Sequence, residues 1–119
     1  FWSRESGLAA PLRMNTAEEV AGAIRERAAL GLSGGHLITN PIPVSDEISP
    51  EVLAPVIAQA TTEAETQGIS AKAVTPFLLD RIFELTEGRS LVANIALVLN
   101  NARFAANLAI ALSKRGVNE

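Results

Sequence analysis

Cysteine is absent from the 119 residues, tyrosine is absent too, histidine and tryptophan occur once each, and aromatic residues make up only 4% of the chain. Without cysteine there is no disulfide framework and no thiolate metal site, a usage that fits a reducing, cytoplasmic setting. A single histidine excludes an all-histidine metal centre. Positive charge is also sparse: Lys and Arg total 10 against 13 Asp and Glu, for a formal net charge of −3. The basic residues are scattered, so no concentrated surface for phosphodiesters or an anionic bilayer is expected, and neither nucleic acid nor membrane is an expected partner. The opening "FWSRESG" lacks a basic region followed by an apolar core, and Phe1 in place of an initiator methionine reads as a chain cut from something longer. The most apolar run, Leu91 to Leu112, is broken by Asn94, Asn100, Asn101, Arg103 and Asn107, which reads as a buried helix too polar for a membrane span.

Apolar residues are plentiful at 48%, enough for the core of one domain of this length. The first fifteen residues show no sustained period and read as an extended lead-in. Thr16 followed by Glu19 is a capping box, opening a helix whose apolar face is Val20, Ala21, Ile24, Ala28 and Leu30, with Glu18, Arg25 and Glu26 in water and Gly31 or Gly34 at its end. "HLITN", His36 to Asn40, lies between Gly34-Gly35 and Pro41 and reads as one buried strand that needs partners from elsewhere. Ser49-Pro50 starts a second helix that stops at Gly68, with Pro55 bending its first turns. "ISAKAV" is a connector or short strand. Thr75-Pro76 launches a third helix closed by Gly88, and Ser90 starts a fourth that runs to about Arg115 and ends at Gly116. The expected chain is therefore mainly α-helical, about four helices plus one or two short strands.

Few residues carry chemistry. On the last helix Asn100, Arg103 and Asn107 share a solvated face, whereas Asn94 and Asn101 share a stripe with Leu91, Ile95, Val98 and Ala105. Two amides in apolar company either satisfy loop backbone groups or touch a ligand. His36 reads as a packed or half-exposed side chain, Lys114 beside Arg115 as a partner of the helix dipole, and Lys72 as solvated. Asp46-Glu47 and the divergent Glu63 and Glu65 read as acidic residues of helix starts and wet faces rather than a catalytic pair. "SGG" lacks the spacing of a phosphate-cradling loop.

Three motifs in order carry a resemblance: GG-x-L-x-x-NPIP at Gly34 to Pro43, GIS-x-K-x-VTPFLL at Gly68 to Leu79, and SL-x-x-NIALV-x-NNA at Ser90 to Ala102. With "FWSRESG" at the start, the chain resembles the carboxyl-terminal part of the pseudouridine-5′-phosphate glycosidases, the indigoidine synthase A-like family, from Phe1 to about Leu112. The resemblance implies an α/β enzyme of α/β/α layers, with residues 1–119 as one carboxyl-terminal segment of the glycosidase domain. It implies a homotrimer that reversibly cleaves the C–C glycosidic bond of pseudouridine 5′-phosphate to uracil and ribose 5-phosphate, through a lysine imine (Schiff base), in nucleoside catabolism. It also implies a manganese ion held through an aspartate. The nucleophilic lysine, the acid and the metal ligand of the family precede the region resembled, so no residue here takes a catalytic or metal role. Lys72 matches a lysine of the second motif that is not the nucleophile. What carries over is pocket wall, Asn94 and Asn40 as substrate-binding residues. The isolated chain is expected to be inactive; the rival expectation is a non-catalytic helical interaction or oligomerisation module.

Overall fold

A computed structural model describes residues 2–5 and 7–114. Four helices appear in order: α1 (Ala17–Ala29), α2 (Pro50–Thr66), α3 (Val74–Leu85) and α4 (Arg89–Ser113), with 3-10 turns at Val44–Asp46 and Ala71–Ala73. Among the described residues there is no strand. His36 to Asn40, expected as a buried strand, is irregular instead, with Leu37 93% exposed. A strand is held by a ladder of backbone hydrogen bonds, and among the described residues no segment supplies the other side. "ISAKAV" is the connector of its two readings, built on a 3-10 turn with Ala71 at a left-handed φ of 51°. The expected end of the last helix at Arg115 and Gly116 lies outside the described residues.

The chain divides into two compact units. Residues 1–6 and 41–98 make the first, whose core is Ile42, Ile48, Leu53, Ala60, Ile82 and Ala93 with Trp2, Val56, Leu78, Leu85 and Leu97 packed around it. The lead-in is stitched into this unit: the Trp2 indole donates to the Ser90 carbonyl at 3.0 Å, Ile48 N–H donates to the Trp2 carbonyl at 2.7 Å, and the Arg4 guanidinium donates to the Ile42 carbonyl at 2.9 Å. Helices α2 and α3 pack on each other and are tied by Arg81, which donates to Glu63 on α2 and to Glu84.

Helix boundaries follow local chemistry, with shifts at three of them. Ser49 stands at the cap position of α2 but its hydroxyl makes no cap bond, and Pro55 is accommodated inside the helix. The 3-10 turn feeds straight into α3, so the helix starts at Val74 and Thr75 and Pro76 fall inside its first turn. First-turn amides have no intrahelical acceptor, which makes proline harmless there. At its end two left-handed residues follow each other, Glu87 (φ 52°) and Gly88 (φ 82°); Gly88 N–H reaches the Phe83 carbonyl at 2.9 Å and Glu87 N–H the Glu84 carbonyl at 3.1 Å, closing a Schellman motif. The corner into α4 is made by Thr86: its hydroxyl donates to the Ile82 carbonyl at 2.7 Å and accepts the Ser90 N–H at 3.1 Å. Ser90 is consequently the buried second residue of α4, not its cap.

Residues 7–40 and 99–119 make the second unit. Here the Thr16–Glu19 capping box forms as expected, with Glu19 N–H on the Thr16 hydroxyl at 3.1 Å and Thr16 N–H on the Glu19 carboxylate at 3.3 Å. Gly31, at φ 67°, ends α1 through bonds from Gly31 and Leu32 N–H to the Ala28 and Arg27 carbonyls. Ala17, Val20 and Ala21 are buried, but Ala28 and Leu30, expected on the same covered face, are exposed because residues 31–39 beyond them are themselves exposed. Arg25 is exposed yet occupied, donating to the Ala111, Leu112 and Lys114 carbonyls at the end of α4.

Contrary to the expectation of a buried helix too polar to span a membrane, α4 is long and apolar enough on length and composition to cross one, and only 6% of its most apolar window is buried. The polar residues do not interrupt its outer side: Leu91, Ile95 and Val98 in the first unit, and Ala102, Ala105 and Ala109 in the second, are all exposed.

Candidate functional site

The two asparagines of the apolar stripe meet different fates. Asn101, in the second unit, accepts at Oδ1 a hydrogen bond from the Asn40 Nδ2 at 3.0 Å. Its partner is thus a side chain 61 residues away, and not the loop backbone. Asn40 is half-buried, is the last residue of the second unit before Pro41, and is confined by that proline to extended backbone. The bond occupies one Asn40 hydrogen and one Asn101 lone pair, so the pair still offers the Asn40 Oδ1 as acceptor and the Asn101 NH₂ as donor.

Asn94 stands two helical turns earlier on α4, in the first unit, half-buried and with no side-chain hydrogen bond to another described residue. Its neighbours Leu91, Ile95 and Val98 are exposed, so the amide has solvent rather than apolar walls around it in this chain.

The remaining candidates are structural or solvated. His36 is exposed, neither packed nor half-buried, because among the described residues the segment around it has no sheet to join. Lys72 is exposed in the 3-10 turn before α3. Asp46 accepts from the Ser45 hydroxyl at 2.8 Å, and the Glu47 carboxylate accepts the Arg4 N–H at 3.0 Å. These two acids line an open cleft of about 250 Å³ with Arg89, Val92 and Ala93 in the first unit. Lys114, Asn107, Asn15 and Phe104 line a second open cleft, of about 430 Å³, beside the start of α1. Glu63 is engaged by Arg81 and by Gln59, whose amide donates at 2.9 Å, while Glu65 is exposed on another side of α2. The Arg81 hydrogen bond, then that from Gln59, hold the Glu63 carboxyl below its ordinary range, and the same partnership pushes the Arg81 guanidinium up. Among the described residues no three histidine, aspartate or glutamate side chains converge to hold a metal ion. The resemblance places the manganese ligands before the region matched here, so none of the described residues is assigned to that ion.

Sequence reasoning missed four connections: Asn40 to Asn101, Arg25 to the end of α4, Trp2 to Ser90, and Thr86 to Ser90. The first joins two of the three quoted motifs, which is the one signal that pointed to it; the others join residues whose types are ordinary at their positions.

A mainly helical chain with its polar groups on the rim of one long apolar helix is consistent with a piece of a larger α/β enzyme. The family model described as "Indigoidine synthase A like protein" matches residues 1–111, and the chain belongs to that family. A pseudouridine-5′-phosphate glycosidase of Paracoccus denitrificans (strain Pd 1222) is 66% identical over 113 residues, 95% of this chain and 37% of that protein. A second, from Jannaschia sp. (strain CCS1), is 58% identical, again over 95% of this chain and 37% of the relative. The chain thus spans 37% of the length of these curated relatives. Among solved structures, the prealnumycin C-glycosynthase AlnA in complex with ribulose 5-phosphate superposes with a TM-score of 0.81 at 28% identity, covering 93% of this chain and 36% of that one.

Proposed function

We propose that this chain is the carboxyl-terminal part of a pseudouridine-5′-phosphate glycosidase domain, an enzyme that reversibly cleaves the C–C glycosidic bond of pseudouridine 5′-phosphate to uracil and ribose 5-phosphate. The observation that carries the reading is the 66% identity, over 95% of the chain, to a relative bearing that name. The C-glycosynthase neighbour, bound to a pentulose phosphate, supports the same bond type and sugar-phosphate class. A C-glycoside has no heteroatom leaving group, so protonating a glycosidic oxygen or nitrogen cannot release the base. A lysine imine on the opened sugar supplies the electron sink instead. That lysine, its acid partner and the manganese ligands belong to the part of the relatives that this chain does not match.

This chain's contribution is then the pocket wall. Asn94 and Asn40 each present an amide that donates and accepts at once, which suits the alternating groups of uracil and the hydroxyls of ribose. The half-buried Asn94, with no partner among the described residues, supports its assignment to the substrate. The exposed apolar side of α4 supports packing against further protein, and assembly as a cytoplasmic homotrimer is part of the same proposal.

The test is loss of pseudouridine 5′-phosphate and appearance of uracil, followed with manganese present. The full-length protein is expected to be active and the 119-residue chain alone to be inactive; uracil release by the chain alone, above background, would refute the assignment of the nucleophile to the unmatched part. Asn94→Ala in the full-length protein should lower kcat/KM about tenfold or more with the thermal midpoint unchanged. An unchanged kcat/KM would remove Asn94 from the site.

A further inference from the structure

We infer that Asn101 is a positioning residue that holds the Asn40 side chain in the orientation used on the substrate. The inference rests on the functional reading above and extends it to a residue with no role in that reading. Asn40 alone is a poor instrument: a carboxamide rotates about its last bond and can present either its oxygen or its nitrogen to the same place. The 3.0 Å bond from Asn40 Nδ2 to Asn101 Oδ1 removes that ambiguity. It ties the NH₂ end to α4 and leaves the Asn40 oxygen as the free acceptor. The anchor is rigid, because Asn101 lies in the interior of a 25-residue helix, and the backbone of Asn40 is confined by the proline after it.

The geometry of the pair also explains why two separated motifs each carry an asparagine at this point. One Oδ1 accepts only because the other NH₂ donates, so the two amides select each other's orientation. The clasp thereby displays the Asn40 Oδ1 as a fixed acceptor. A fixed acceptor favours a ligand group that donates, such as the imide N–H of a pyrimidine base or a sugar hydroxyl.

A double-mutant cycle in the full-length enzyme tests this. Asn40→Ala and Asn101→Ala should each raise KM for pseudouridine 5′-phosphate about threefold to tenfold, the size expected for one well-aligned hydrogen bond. Neither should change kcat by more than about twofold or shift the thermal midpoint. Because Asn101 acts through Asn40, the double variant should be no worse than Asn40→Ala alone. In the ¹⁵N spectrum of the same enzyme, Asn101→Ala should move the side-chain NH₂ pair of Asn40. An unchanged KM in Asn101→Ala, an unchanged KM in Asn40→Ala, multiplying effects in the double variant, or an Asn40 NH₂ pair that stays in place would each overturn the inference while leaving the glycosidase reading intact. A wild-type enzyme that releases no uracil would overturn that reading, and this inference with it.

Discussion

Replacing Thr86 by valine isolates one buried hydrogen bond at the corner that launches α4. The two side chains have nearly the same shape, so the substitution removes the hydroxyl and little else. That hydroxyl donates to the Ile82 carbonyl at 2.7 Å and accepts the Ser90 N–H at 3.1 Å, in a residue only 8% exposed. Losing the first bond matters little, since the Ile82 carbonyl still receives the Thr86 backbone N–H at 3.0 Å. The second loss leaves the Ser90 amide buried without an acceptor, which costs about 1–3 kcal/mol. Thr86→Ser keeps the acceptor and gives up one methyl group, about 0.8 kcal/mol. Urea unfolding of the full-length protein followed by far-UV circular dichroism measures both, and hydrogen exchange at the Ser90 amide reports the local effect. The expected order is Thr86→Val more destabilising than Thr86→Ser, with faster Ser90 exchange only in the valine variant. A valine variant within about 0.5 kcal/mol of wild type, or a serine variant that is the worse of the two, would refute the account of the corner.

Two further perturbations test other parts of the fold. Thr16→Ala removes the hydroxyl that accepts the Glu19 N–H and should cost about 1 kcal/mol in the same urea assay. Its effect should be concentrated in faster amide exchange over the first turn of α1. Glu63 has a folded-state pKa below its ordinary value of 4.5, set first by the Arg81 hydrogen bond, so it binds its proton less readily folded than unfolded. Its stabilisation is therefore present above the ordinary carboxylate range and is lost as pH falls through the lower, folded value. Glu63→Gln should shallow the acid limb of the unfolding midpoint measured from pH 7 downward, with the difference from wild type shrinking in 0.5–1 M salt; parallel limbs would contradict the pairing.

What could be read from the sequence was whatever is decided within about a turn of helix. The Thr16–Glu19 box, Pro50 at the start of α2 and Gly68 beyond its end are fixed by cap chemistry between near neighbours, and each stands where expected. Thr75-Pro76 misled because the same dipeptide fits either a cap with its first residue or the interior of a first turn, and only the preceding 3-10 turn selects between them. His36 to Asn40 misled for a different reason. Its pattern describes a strand, but a strand is a property of a pair, and the described residues hold no partner for it. For the site, the motifs pointed to Asn40 and Asn94 as individuals. That Asn40 closes on Asn101 depends on how the chain between two positions 61 apart folds, and periodicity along one helix carries no information about that.

The same distinction decides how α4 is to be understood. In its first half Ala93 and Leu97 meet the first unit's core, while Leu91, Ile95 and Val98 on the other side of those turns are about half exposed. In its second half Ala111 is buried, while Ala102, Ala105 and Ala109 are exposed. A helix that faced water on its outer side would carry charge there, yet this line of residues holds none. Covering Leu91, Ile95 and Val98 would stabilise by about 1 kcal/mol each, roughly half the value for a fully buried aliphatic side chain. Alanines at 102, 105 and 109 would let another backbone approach closely, at the 8–10 Å interaxial distance of packed helices. Within the first unit, Asn94 is half-buried beside the exposed Leu91, Ile95 and Val98, so whatever covers those side chains also meets its amide.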